Sequence, residues 1–114
     1  NCPLLLETPA GQGTELLSKI VDFAKFYKEL DHSKVKICVD TCHVFAAGYC
    51  PLLYIREMIK TYPNCINLIH LNDSKNEKGS NLDRHEVPGK GYIGEEVMGK
   101  IQKLYKDIPK VIEI

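Results

Sequence analysis

Three short strings in this chain each set a carboxylate close to an imidazole. Asp40-Thr41-Cys42-His43 separates them by three residues, His70-Leu71-Asn72-Asp73 repeats that spacing in reverse order, and Asp83-Arg84-His85 separates them by two. On extended backbone a separation of two sends both side chains to the same side. Oxygen and nitrogen donors without thiolates suit zinc first, with manganese or iron next. Each string alone is a weak signal, because a single Asp-x-x-His is more often a surface hydrogen bond than a ligand pair. Their arrangement along the chain carries more weight.

Four apolar runs each close on one such residue. Leu4-Leu5-Leu6 ends on Glu7, Val35 to Val39 on Asp40, Ile66 to Ile69 on His70, and Val111-Ile112 on Glu113. A parallel α/β barrel delivers side chains to its C-terminal rim in this way. Four such runs with helical patterns between them predict one polyvalent metal site.

The elements between the runs follow from periodicity. After the loop Thr8-Pro9-Ala10-Gly11-Gln12-Gly13, Thr14 reads as the N-cap of a long amphipathic helix, with Leu16, Leu17, Ile20, Val21, Ala24, Tyr27 and Leu30 on its apolar face. Asp40 to Pro51 reads as a loop. Leu52 to Thr61 and Gly94 to Tyr105 are helical patterns, the first turning Ile55, Met58 and Ile59 inward and the second Val97, Ile101 and Leu104. Successive strand-terminal residues lie 33, 30 and 43 positions apart, and about 30 residues make one βα unit. The last interval is longer because Leu71 to Tyr92 lacks periodicity. A structureless stretch above about 15 residues is usually functional or disordered, and the Asp83-Arg84-His85 string favours function.

The expected fold class is therefore α/β, with four parallel strands and three helices. That is half of an eight-stranded barrel. An open four-stranded sheet leaves two edges and apolar surface uncovered, so residues 1–114 are expected to be a single partial domain. A self-contained flavodoxin-like sheet is the alternative.

The 114 residues are 44% hydrophobic and 26% charged, enough for one modest core. No apolar stretch approaches the roughly 20 residues of a membrane span, so no membrane partner is expected. No secretory leader is visible, and a start at Asn1 suggests a processed or excised end. Fifteen basic and fifteen acidic residues give no net charge, but a carboxylate site becomes positive once divalent ions fill it. Five irregularly spaced cysteines without a C-x-x-C pair read as structural thiols, and so predict a reducing, intracellular setting in cytoplasm or nucleus. Cys42 could supply a zinc thiolate, but in an extended segment it would point away from Asp40.

The longer strings resemble a known family. Leu6-Glu7 followed by Ala10-Gly11-Gln12-Gly13, the block from Cys38 through Asp40-Thr41-Cys42-His43 to Tyr49, His70 to Lys75, and Gly79-Ser80 through Asp83-Arg84-His85 to Gly94 are similar, in order, to endonuclease IV. These are the zinc-dependent apurinic/apyrimidinic endonucleases of base-excision DNA repair. The resemblance implies strands five to eight, the C-terminal half, of a (β/α)8 TIM barrel with three zinc ions in a rim pocket. It implies that Glu7 bridges two zincs, that Asp40, His70 and Glu113 complete one of that pair, and that His43, Asp83 and His85 hold the third. The pair's other zinc takes two histidines from earlier strands, for which this chain has no positions; His32 matches no ligand. Cys50 and Ile114 depart from the family pattern without touching a proposed ligand.

By the same resemblance, the complete protein hydrolyses the phosphodiester 5′ to an abasic site in double-stranded DNA with a zinc-activated hydroxide, Glu7 contributing through the metals. Without the N-terminal half, this chain alone is expected to be inactive. Arg84, Lys75 and Lys90 are candidate DNA contacts, as is Lys78; a solvated surface is the plain alternative for each. Gly11-Gln12-Gly13 could cradle a phosphate if a helix follows, and Asp73 could orient a ligand imidazole or simply cap a loop. Two rival functions stay open: a divalent-metal sugar isomerase or epimerase of the same barrel fold, and an inactive metal-binding fragment. Asp83-Arg84-His85 discriminates against the isomerase.

Overall fold

In a computed structural model, residues 3–13 and 16–113 are described. The chain runs β1 (Leu4–Glu7), α1 (Ile20–Lys28), β2 (Val35–Asp40), α2 (Thr41–Ala46), α3 (Pro51–Thr61), β3 (Ile66–His70), β4 (Asp73–Ser74), β5 (His85–Glu86), α4 (Glu95–Leu104) and β6 (Lys110–Val111). Four strands form one parallel sheet in the order β1-β2-β3-β6, as expected. Register decides what meets at its carboxyl end: Glu7 sits opposite Cys38, Asp40 opposite His70, and His70 opposite Val111. The polar ends of neighbouring strands therefore lie together.

Packing explains the strands. Ile37, Cys38 and Val39 are consecutive buried residues in β2, as a central strand covered on both faces requires. The sheet and helices close a core that includes Phe23, Tyr27, Ile37, Val39, Ile55, Met58, Ile69 and Ile101. The two edge strands are barer: Leu4 is 70% exposed and Val111 46%.

Four helices are present among the described residues where three were expected. The additional one, α2, lies in the segment read as a loop. Asp40 ends β2 and at once caps α2, its Oδ1 accepting the His43 N–H at 3.0 Å from extended backbone. Six residues are too few for an apolar period to show, so the cap is the signal that was there to read. Gly48, at φ 108°, then turns the chain out toward α3, which starts with Pro51 in its first turn.

Helix α1 also departs from expectation. It begins at Ile20, after Lys19 as an extended N-cap, and Leu17 at φ 67° lies outside the helical pattern it was expected to continue. The expected Thr14 cap lies outside the described residues. Phe23, rather than Val21, is buried with Tyr27. The long stretch after β3 is not structureless either. Strands β4 and β5 pair antiparallel within it, with Asp73 opposite Glu86 and Ser74 opposite His85.

Candidate metal centre at the carboxyl end of the sheet

Glu7, Asp40, His70 and Glu113 converge at the ends of the parallel strands. His70 Nδ1 lies 3.1 Å from Glu7 Oε2, 3.1 Å from Glu113 Oε1 and 3.5 Å from Asp40 Oδ2. One ring nitrogen carries at most one proton, so it cannot satisfy three carboxylates that also repel one another. A cation placed among them would.

His43, Asp83 and His85 form a second group beside the first. Asp83 offers one oxygen to each imidazole: Oδ2 is 2.9 Å from His43 Nε2 and Oδ1 is 3.0 Å from His85 Nε2. His43 Nδ1 is 2.6 Å from the Thr8 carbonyl oxygen, which can only accept, so Nδ1 carries the proton. In the neutral ring Nε2 then presents a lone pair toward carboxylates. His85 Nε2 is buried without a hydrogen-bond partner; its approach to Asp83 is close but out of line for a hydrogen bond. His43 Nε2 is in line with Asp83 Oδ2 and would share a proton with it only if the ring were charged. In the neutral ring both Nε2 atoms turn lone pairs toward carboxylate oxygens, a donor set suited to a divalent ion.

Asp40 joins the groups. It is fully buried, and its Oδ2 lies 3.6 Å from His43 Nε2 and 3.8 Å from His85 Nε2, besides its approach to His70. Three sets of donor atoms lie within 4.8 Å of one another: Asp40, His43 and His85; Cys42, Asp83 and His85; and Glu7, Asp40, His70 and Glu113. Burial pushes the Asp40 pKa up, against the opposing pull of His43 and His85. Burial alone would lower the His43 pKa, but Asp40, the Thr8 carbonyl, Asp83 and Glu7 together raise it.

All seven residues expected at the metal site are thus brought together, though Asp40 reaches both groups rather than one. Cys42 needs correction. It is helical, not extended, and its Sγ lies 4.0 Å from Asp83 Oδ1 and 3.7 Å from the Arg84 carbonyl oxygen. Burial first, and then the Asp40 and Asp83 charges, push its thiol up to about 12, so it stays protonated near neutrality.

Three supporting residues carry no clear sequence signal. Thr8 Oγ1 accepts the Asp40 N–H at 3.0 Å. Thr41 Oγ1 donates to the Asn72 carbonyl at 2.5 Å. Asn72 Nδ2 contacts Asp40 Oδ2 at 3.2 Å and Glu113 Oε1 at 3.1 Å. Thr8 and Thr41 directly follow the strand-terminal Glu7 and Asp40, and Asn72 lies two residues beyond His70; that proximity was the only hint.

Of the two readings of Asp73, the loop cap holds: its carboxylate accepts backbone N–H groups and, among the described residues, meets no imidazole. After Gly11-Gln12-Gly13, no helix begins among the described residues before Ile20. Instead Gln12 Oε1 accepts the Asp83 N–H at 2.7 Å, so the expected phosphate cradle is a brace for the second group. Arg84 is exposed and bends back, its Nη1 donating to the Asp83 carbonyl at 3.0 Å. Lys75 and Lys90 are also exposed, and with Tyr92 they line an open cavity of about 380 Å³ on the β4–β5 side, whose lining includes none of the seven donor residues.

The xylose isomerase-like TIM barrel family model matches residues 1–114. A probable endonuclease 4 of Mesomycoplasma hyopneumoniae (strain 7448) is 39% identical over 119 residues, covering 99% of this chain and 43% of the relative. A probable endonuclease 4 of Streptomyces coelicolor is 44% identical over 102 residues, covering 82% and 34%. The crystal structure of endonuclease IV from Thermus thermophilus superposes with a TM-score of 0.83 at 29% identity, covering 97% of this chain and 42% of that one. The chain therefore spans less than half the length of these relatives.

Proposed function

Since the chain belongs to the xylose isomerase-like TIM barrel family, we propose that it is the C-terminal half, strands five to eight, of a zinc-dependent endonuclease that cuts DNA 5′ to abasic sites. The observation that carries this reading is the pairing of two donor groups through Asp40 at one end of the sheet, in a chain whose relatives are named endonuclease 4. A sugar isomerase needs only the first group. The second, built on Asp83 and His85, favours phosphodiester chemistry.

Glu7, Asp40, His70 and Glu113 would hold one ion, and His43, Asp83 and His85 another, with three zinc ions in the complete enzyme and manganese or iron as substitutes. Bound divalent ions there would offset phosphate charge and make a water acidic enough to attack near neutral pH. The chain's own part is to keep the donors aimed. The Thr8 carbonyl holds the His43 proton on Nδ1, leaving Nε2 for an ion. Glu7 Oε2 stands 3.1 Å from His70 Nδ1, and its carboxylate would be shared between the ion of this group and the pair's other ion, whose two histidines come from earlier strands. Arg84, Lys75 and Lys90 are exposed, and a DNA backbone passing over them would meet positive charge.

Among the described residues no helix is long and apolar enough to cross a membrane, and Cys38, Cys42, Cys50 and Cys65 are free thiols. A reducing compartment, cytoplasm or nucleus, suits them.

The test joins this chain to the N-terminal part of the Thermus thermophilus relative and supplies a duplex with one abasic site. The chimera with zinc should incise 5′ to that site, and Glu7→Gln should remove the activity. The chain alone should bind zinc without incising, and His43→Ala or His85→Ala should each lower its zinc content. A zinc-loaded chimera that leaves abasic DNA intact would sink the nuclease reading. Rapid incision by the isolated chain would sink its inactivity.

A further inference from the structure

We propose that Asp73 is a positioning residue that sets His85 through the short β4–β5 ladder, an inference that rests on the metal reading above. Asp73 is fully buried, and its carboxylate gathers four backbone N–H groups. Oδ1 accepts from Ser74 and Ile93, both at 2.8 Å, and Oδ2 from Gly89 at 3.0 Å and Gly94 at 3.2 Å. Among the described residues it forms no ion pair, so N–H dipoles meet its charge. Residues 89–94 are thereby drawn onto β4, and the Tyr92 N–H donates to the Ser74 carbonyl at 2.9 Å. The approach is too close for any side chain at Gly91. A Cβ there would lie 2.3 Å from Ser74 O and 2.6 Å from Asp73 Oδ1.

The far side of β4 carries β5. Ser74 is opposite His85, and the Lys75 N–H donates to the Arg84 carbonyl at 3.0 Å. A ladder of two residues per strand does not hold its own place. Asp73 ties it to the loop that leads into α4. His85 owes its position to this ladder, whereas Asp83 has an independent brace in Gln12, and Glu7, His70 and Glu113 stand at the ends of the main sheet. Loss of the Asp73 carboxylate should therefore release His85 and spare the others. An amide cannot replace it, because the side chain introduced by Asp73→Asn would turn an NH2 group toward N–H donors.

Cobalt(II) titration of the full chain, followed by visible absorption, reads the two donor groups separately once His85→Ala has marked which band belongs to His85. Asp73→Asn should weaken the His85-dependent ion about 10- to 100-fold, the range for losing support behind a ligand, and leave the ion of Glu7, His70 and Glu113 unchanged. Gly91→Ala, which presses on the same contact while keeping the carboxylate, should give the same selective loss. Equal weakening of both ions, or full affinity at the His85 site in either variant, would overturn the proposal.

Hydrogen exchange on the metal-free chain judges the clamp without any ion. In Asp73→Asn the Lys75 amide should lose protection together with Gly89, Ile93 and Gly94, and an unchanged Lys75 rate would also overturn it. A wild-type chain lacking any His85-dependent cobalt band would instead count against the metal reading.

Discussion

Asn72 holds Glu113 by two bonds, its Nδ2 donating to Glu113 Oε1 at 3.1 Å and its Oδ1 accepting the Glu113 N–H at 2.9 Å. The pairing matters because β6 is only two residues long and ends before Glu113. The strand alone cannot aim that carboxylate. The same Nδ2 also contacts Asp40 Oδ2, so one buried amide fixes acids from two different segments. Asn72→Leu keeps similar bulk and removes both contacts. Divalent-ion affinity at the Glu7, Asp40, His70 and Glu113 group should fall about 10- to 100-fold, as read by competition with a chromophoric chelator. An unchanged affinity would mean that Glu113 is aimed by something other than Asn72.

Asp40 carries two duties that one substitution separates. As the N-cap of α2 it needs only an oxygen, and Asn caps about as well as Asp. As a buried carboxylate it carries a charge that burial disfavours. Asp40→Asn should therefore leave the metal-free chain close to wild type in heat stability, relief of the buried charge offsetting the lost acceptor for Asn72. It should also remove the zinc stabilisation that depends on the Glu7, Asp40, His70 and Glu113 group. For the wild type that gain is about 2.7 kcal/mol when free ion is a hundredfold above its Kd. Thermal melts with and without zinc check both halves. A metal-free Asp40→Asn chain that melts well below wild type would show the carboxylate to be structural.

The sequence made the site more legible than the loops that complete it. Strand-terminal donors are readable because an apolar run states where a strand ends, and parallel register then brings those ends together. Helix α2 escaped because its six residues carry no period, although Asp40 three residues before His43 was a usable cap signal. Leu17 escaped for a different reason: its positive φ belongs to tertiary packing and contradicts the apolar pattern that it continues. Asp73 was ambiguous because only one of its four N–H partners, Ser74, is a neighbour in sequence, and the others lie up to 21 positions away. No local rule reaches that far.

Tyr27 anchors the side of the fold remote from the site. Its ring is fully buried, stacks on His32 at 4.1 Å between centroids, and meets Tyr62 edge-on at 5.1 Å. Its hydroxyl donates to the Val35 carbonyl at 2.6 Å, tying α1 to the start of β2. That role also accounts for His32, which belongs to this aromatic cluster and to no donor group. Tyr27→Phe keeps the ring packing and strands the Val35 oxygen, which should cost about 1–3 kcal/mol. Zinc affinity should be unchanged, because β2 carries Asp40 at its opposite end. Urea unfolding measures the first quantity and chelator competition the second. A Tyr27→Phe chain of wild-type stability would show that water satisfies Val35, and a shifted zinc affinity would show that the two ends of β2 are coupled.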